Sequence, residues 1–168
     1  MRNDKEGVGQ SVRLEQIGED RWRDYQCIRI EMLDSDPSAF PPQAERDRFD
    51  PEEVWRSKIN SGIIILAYDG DAPVGMVRGT TSGQKGTIRN MYTRKSHRGI
   101  GIGEQLFTGV LNSLQRRGDI SIVDLEVEDT QLPAIALYKS KGFEEIKRVP
   151  EGDGFMITME KPLRPRIN

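Results

Sequence analysis

The chain has 168 residues, with 25 Lys and Arg against 27 Asp and Glu for a formal net charge of −2, and it is 35% hydrophobic and 31% charged. That length fits one compact domain, and a charge so near neutral gives no overall pull toward nucleic acid or anionic lipid. A single cysteine (Cys27) and a single histidine (His97) exclude an intrachain disulfide, a multi-cysteine zinc site and a two-histidine metal site, so no metal is expected.

Weak alternation at Val12, Leu14 and Gln16 predicts a first strand, and Trp22, Tyr25, Ile28, Met32 and Leu33 give Asp20 to Leu33 a helical spacing. Cys27 reads as a packing residue of that helix, not a nucleophile. Asp36-Pro37 breaks the helix, and Pro41-Pro42 keeps the next stretch irregular. Asp50-Pro51-Glu52-Glu53 reads as a new helix start, with Asp50 as cap, proline first and acids in the opening turn. Ile63 to Tyr68 and Val74 to Thr80 are strand-like around a turn at Asp69-Gly70-Asp71-Ala72-Pro73, and a further strand runs from Thr87 to Thr93. The longest apolar run, Ile63 to Ala67, is far short of the ~20 residues of a membrane span. The polar start of the chain lacks a signal-like apolar stretch, so a cytoplasmic protein is expected.

Gly101 to Arg117 is the clearest helix: Ile102, Leu106, Val110, Leu111 and Leu114 share one face and Gly118 stands at its end. Ile120 to Val127 reads as strand, Gln131 to Lys141 as helix closed by Gly142, and Phe143 to Val149 with Phe155 to Glu160 as a final strand pair. The expected fold class is therefore α/β. It is a mixed, mostly antiparallel central sheet of about seven strands flanked by about four helices, in one domain over 1–168 with its ordered core at about 11–161. The C-terminal strand pair leaves room for a homodimer.

Charge is unevenly distributed. No acid occurs from Ala72 to Gly103, a stretch that holds Arg78, Lys85, Arg89, Arg94, Lys95 and Arg98, whereas Glu31 to Glu53 is strongly acidic. The basic run leads into Arg98-Gly99-Ile100-Gly101-Ile102-Gly103, between a strand and the start of the strongest helix. Glycines there permit positive φ and close backbone approach, and the helix start adds unpaired N–H donors and partial positive charge. Together these suit a phosphate or pyrophosphate. Glu104 suits the helix N-terminus but would repel a phosphate placed too near it. The spacing is neither G-x-G-x-x-G, which would need glycine at Leu106, nor a Walker motif. His97 falls in this basic loop and reads as a surface position.

Strand, then R-G-x-G-x-G, then amphipathic helix resembles the acyl-CoA-binding motif of the GNAT superfamily of N-acetyltransferases. Downstream, Leu125-Glu126-Val127, Gln131, Ala134, Leu137-Tyr138 and Gly142-Phe143 resemble that superfamily's L-E-V…N-x-x-A-x-x-L-Y-x-x-x-G-F segment, with Gln131 in place of the usual asparagine. There is some similarity to the branch that acetylates ribosomal-protein N-termini. The resemblance implies acetyl-CoA as donor and direct attack by a primary amine of a small molecule or peptide through a tetrahedral intermediate. Met91, Tyr92 and Thr93 would line the pantetheine, and Arg98, Gly99, Ile100, Gly101, Ile102, Gly103 and Glu104 the pyrophosphate. Gln131, Ala134 and Tyr138 would complete the cofactor contacts.

Such chemistry needs a neutral amine. At pH 7 a lysine-like amine is neutral only about one part in 2,500 and an α-amine roughly one part in seven. The resemblance makes Glu126 the candidate base and Tyr138 the candidate acid for the departing thiolate. It also puts the acceptor beside the first helix, its loop and the second helix. There Asp34, Asp36, Glu45 and Asp47, with Phe40, would draw a cationic amine. Two other classes fit less well: a non-catalytic acyl-CoA-binding regulator of the same fold, and a nucleic-acid-binding module, which the net charge and the 7% aromatic content disfavour.

Overall fold

A computed structural model of the chain describes residues 12–35, 37 and 42–163. Seven strands are assigned: β1 (Val12–Gln16), β2 (Ile63–Asp69), β3 (Ala72–Ser82), β4 (Lys85–Thr93), β5 (Ile122–Glu128), β6 (Glu144–Glu151) and β7 (Gly154–Pro162). Four α-helices accompany them: α1 (Trp22–Ser35), α2 (Glu52–Asn60), α3 (Ile102–Arg116) and α4 (Leu132–Ser140). The strands form one sheet in the order β1-β2-β3-β4-β5-β7-β6. β1 and β2 pair antiparallel, as do β5 with β7 and β6 with β7, whereas β4 and β5 run parallel across α3. The expected mixed, mostly antiparallel sheet is present. By internal contacts the molecule falls into two compact units. One joins the described residues up to Arg78 to Asn90–Val110, and the other joins Gly79–Arg89 to the described residues from Leu111 onward.

The first unit is organised around aromatic side chains. The helical spacing of α1 brings Tyr25, Ile28 and Met32 into a cluster with Trp55 and Ile59 of α2, Ile64, Leu66 and Tyr68 of β2, and Met76 and Tyr92. Tyr25 meets Trp55 edge-on, with centroids 5.1 Å apart and planes at 87°, a favoured arrangement for two ring quadrupoles. The Trp55 indole N–H donates to the Asp50 carbonyl at 3.0 Å, so the buried ring leaves no polar atom unmet. β2 is buried on both faces, as its continuous apolar run foretells.

Three local expectations give way here. Pro51, not Asp50, stands at the N-cap of α2 and makes no side-chain cap, while the Asp50 carboxylate accepts from Lys58 Nζ at 2.7 Å. An available ammonium outcompetes the weaker capping bond. The stretch after the prolines is not irregular but 3-10 helical from Pro42 to Phe49. Cys27 is exposed, not packed; it lies two residues from Tyr25, off the stripe that α1 buries.

In the second unit, β5 alternates cleanly, with Val123, Leu125 and Val127 buried and Glu126 exposed. The parallel register runs from Lys85↔Ile122 to Ile88↔Leu125. Asp124 pins it by accepting from Thr87 Oγ1 and Lys85 Nζ, each at 2.6 Å. Both expected helix-closing glycines take positive φ, Gly118 at +77° and Gly142 at +92°. All eight residues of β6 are exposed.

Candidate active site

The first unit carries the glycine turn. Two residues past the part of β4 that pairs with β5, Asn90 has φ +57°, the only positive φ among described non-glycine residues, so the strand's geometry is interrupted just before Met91. Tyr92 is buried; burial, then the charge of Glu31 on α1, hold its pKa above the usual phenol value. The Thr93 carbonyl accepts from Arg98 Nε at 2.8 Å, and the Arg98 guanidinium lies 5.7 Å from the Tyr92 ring centroid. Tyr92, Thr93 and Arg98 are thus brought together, with Met91 preceding them on β4.

Between strand and turn sits a short 3-10 segment, Lys95–His97. His97 is 9% exposed, which corrects its expected surface placement. Its Nε2 lies 2.8 Å from Asp69 Oδ2 at the end of β2, and its Nδ1 2.8 Å from Ser96 Oγ. The imidazole therefore ties the entry to the glycine turn to the β2–β3 turn. Arg94 adds a second tie, its backbone N–H donating to the Val74 carbonyl at 2.7 Å and its Nε to Glu31 at 3.0 Å.

Beyond these anchors Gly99 and Gly101 take φ +79° and +90°, and a Cβ added at either would have no atom within 4 Å. Ile100 between them is half-buried and exposed backbone flanks it. Ile102 is buried and opens α3, Gly103 follows with its Cα facing Thr93 Oγ1, and Glu104 sits in the first turn. The first intrahelical bond runs from Gln105 N–H to the Gly101 carbonyl at 3.1 Å. Helix geometry leaves the N–H groups just before it without intrahelical acceptors. Positive φ, open space over the turn and a helix N-terminus fit a pyrophosphate group.

The acids expected to attract a cationic amine are already engaged. Asp34 and Glu45 both bind Arg48, at 2.6 Å each. Asp47 binds Arg29 and Lys58, at 2.9 Å each. Burial would raise the Asp47 carboxyl, but hydrogen bonds from Lys58 and Arg29 outweigh it and hold the pKa below the ordinary value. These carboxylates are compensated within the protein and present little free negative charge. Asp36 and Phe40 lie outside the described residues. Arg29, 6% exposed, was hidden from sequence reasoning because its partner Asp47 lies across a loop.

The second unit carries the candidate acid and base. Glu126 projects exposed from β5, opposite Thr158 of β7. Gln131 is the N-cap of α4 but makes no side-chain cap, so its exposed amide is not committed to the helix. Ala134 is half-buried one turn on. Tyr138 is 8% exposed, tilted against Phe143 at 6.5 Å, and burial pushes its hydroxyl up to about 12. A buried phenol of that kind stays protonated across the neutral range and so remains a proton donor.

The model of the Acetyltransferase (GNAT) family matches residues 16–143. The chain belongs to this family. GNAT enzymes use acetyl-CoA and act on amines. No curated protein sequence matches the chain significantly, so the further likeness is one of fold. A GNAT-family acetyltransferase from Streptococcus pneumoniae superposes with a TM-score of 0.74 at 17% identity, over 90% of this chain and 99% of that one. The ribosomal-protein-S18-alanine N-acetyltransferase of Escherichia coli gives 0.68 at 20% identity, over 90% and 94%. The PaiA N-acetyltransferase of Thermoplasma acidophilum, in complex with coenzyme A, gives 0.69 at 15% identity, over 90% and 99%. Among the described residues no helix is long and apolar enough to cross a membrane.

Proposed function

We propose that this GNAT chain transfers the acetyl group of acetyl-CoA to the primary amine of a small-molecule or peptide acceptor. The observation that carries the reading is the glycine turn: Gly99 and Gly101 in left-handed conformations, open space above both, at the N-terminus of α3. Arg98 and the main-chain N–H groups of residues 99–104 would hold the pyrophosphate, with Met91, Tyr92 and Thr93 along the pantetheine and Gln131 and Ala134 as further contacts. When bound, acetyl-CoA supplies an acetyl group already activated as a thioester.

The chain's own residues then manage two protons. Glu126, directly or through water, accepts the proton that the attacking nitrogen must lose. Tyr138 delivers one to the departing sulfur. Support for this division comes from their states: Glu126 is exposed on a strand, whereas Tyr138 is buried and kept protonated. Calorimetry with acetyl-CoA, followed by a free-thiol assay over a panel of amines, tests the reading. Binding with amine-dependent thiol release is expected. Binding without release for any amine would make the chain a CoA-binding regulator, and no binding would end the proposal.

A further inference from the structure

The charge pattern of the first unit points to what the acceptor carries besides its amine. On α1 and the 3-10 segment after it, the Asp24 carboxylate accepts the Tyr68 hydroxyl, and Glu31 binds Arg94. Asp34 and Glu45 share Arg48, and Asp47 is held by Arg29 and Lys58. Arg78 differs from these in keeping a buried guanidinium nitrogen that no partner meets. Arg78 stands on β3 two residues beyond Met76, and so on the sheet face where Met76 joins Tyr25, Ile28 and Trp55. The side chain is half-buried, and its Nε is the only buried side-chain nitrogen or oxygen among the described residues without a hydrogen-bond partner. Its charge is felt by the Tyr25 phenol, whose pKa burial raises and Arg78 partly brings back.

A guanidinium cannot shed its charge, and a buried donor left unmet is costly. Such a group calls for an explanation, and an external anion that completes it supplies one. We propose that Arg78 is a specificity residue of the acceptor site and binds a carboxylate, so that the acceptor is of the amino-acid class, bearing a primary amine and a carboxylate together. The amine half of this assignment rests on the acetyltransferase reading; the carboxylate half does not. A planar guanidinium edge matches a carboxylate better than it matches any neutral acceptor.

The test offers free amino acids and the corresponding carboxamides to the protein, in a thiol-release assay with acetyl-CoA and in calorimetric binding without it. The wild-type protein is expected to favour the carboxylate about tenfold or more in both assays, Arg78→Gln to bring that ratio near one, and Arg78→Lys to keep part of it. KM for acetyl-CoA should stay the same in all three proteins. Equal handling of the two forms by the wild-type protein overturns the proposal, as does failure to bind any of the carboxylates or a ratio unmoved in Arg78→Gln. Acetyl-CoA neither bound nor consumed, with the carboxylate preference intact in calorimetry, would instead sink the acetyltransferase reading and leave the role of Arg78 standing.

Discussion

The two compact units reach order by different means. The first is held by large rings and by paired charges: Trp55 against Tyr25, Tyr68 on Asp24, Asp47 between Arg29 and Lys58. Many of its charged groups are committed to one another, while main chain lies open at Gly99 and Gly101 and the Arg78 Nε is buried without a partner. The second unit is a plainer β-structure, with Val123, Leu125, Ile157 and Met159 buried and β6 exposed throughout. Its reactive candidates are side chains, Glu126 and Tyr138. The glycine turn thus lies in one unit and the proton-handling candidates, together with the proposed cofactor contacts Gln131 and Ala134, in the other, and that division can be broken experimentally.

The largest effect should come from the second unit. Tyr138→Phe is expected to lower kcat by about two to four orders of magnitude while leaving acetyl-CoA affinity unchanged; a parallel loss of affinity, read by calorimetry, would erase the division. Next, Trp55→Ala should cost about 3–5 kcal/mol in urea denaturation, because it empties the centre of the ring cluster. Gly101→Val comes third. A β-branched residue at φ +90° carries about 1–2 kcal/mol of strain per residue, so acetyl-CoA affinity should drop by about tenfold with kcat at saturation nearly intact. A fall in kcat alone would count against the turn as a binding element.

A further effect is one of pH and involves both units. Burial, the leading cause in each case, raises the pKa of Tyr25, Tyr68, Tyr92 and Tyr138 above the ordinary phenol value of 10.0, the last to about 12. A folded-state pKa above the unfolded one adds stability that is complete below pH 10 and is lost as pH climbs through the folded value. Denaturation midpoints should be flat up to about pH 9.5 and then fall, at roughly 1.4 kcal/mol per pH unit for each fully buried phenol. Phenolate absorbance should lag behind that of free tyrosine. Titration of all four rings at the free value in folded protein would contradict the burial described for them.

Much of the fold could be read from local pattern. The alternation around Val123 and Leu125, the run Ile63 to Ala67, and glycines at 118 and 142 each carry their own structural instruction, since period and positive φ are properties of a few adjacent residues. The glycine turn, with Gly99 and Gly101 at positive φ before α3, was legible for the same reason. Long-range pairing was not. His97 looked exposed because nothing near it in sequence announces Asp69, and Asp34, Glu45 and Asp47 looked like free charge because Arg29, Arg48 and Lys58 reach them only in the folded chain. Cys27 is the exception that could have been caught: the α1 stripe through Tyr25, Ile28 and Met32 excludes it by phase.

That misplaced cysteine has a practical use. It is the only thiol in the chain and is exposed on α1, so a maleimide fluorophore would attach once per molecule and at a known point on the first unit. Emission from such a conjugate would follow what happens near that helix during titration with amino acids or acetyl-CoA. Thiol-release assays, conversely, call for a Cys27→Ser background, because this sulfur would otherwise react alongside liberated coenzyme A.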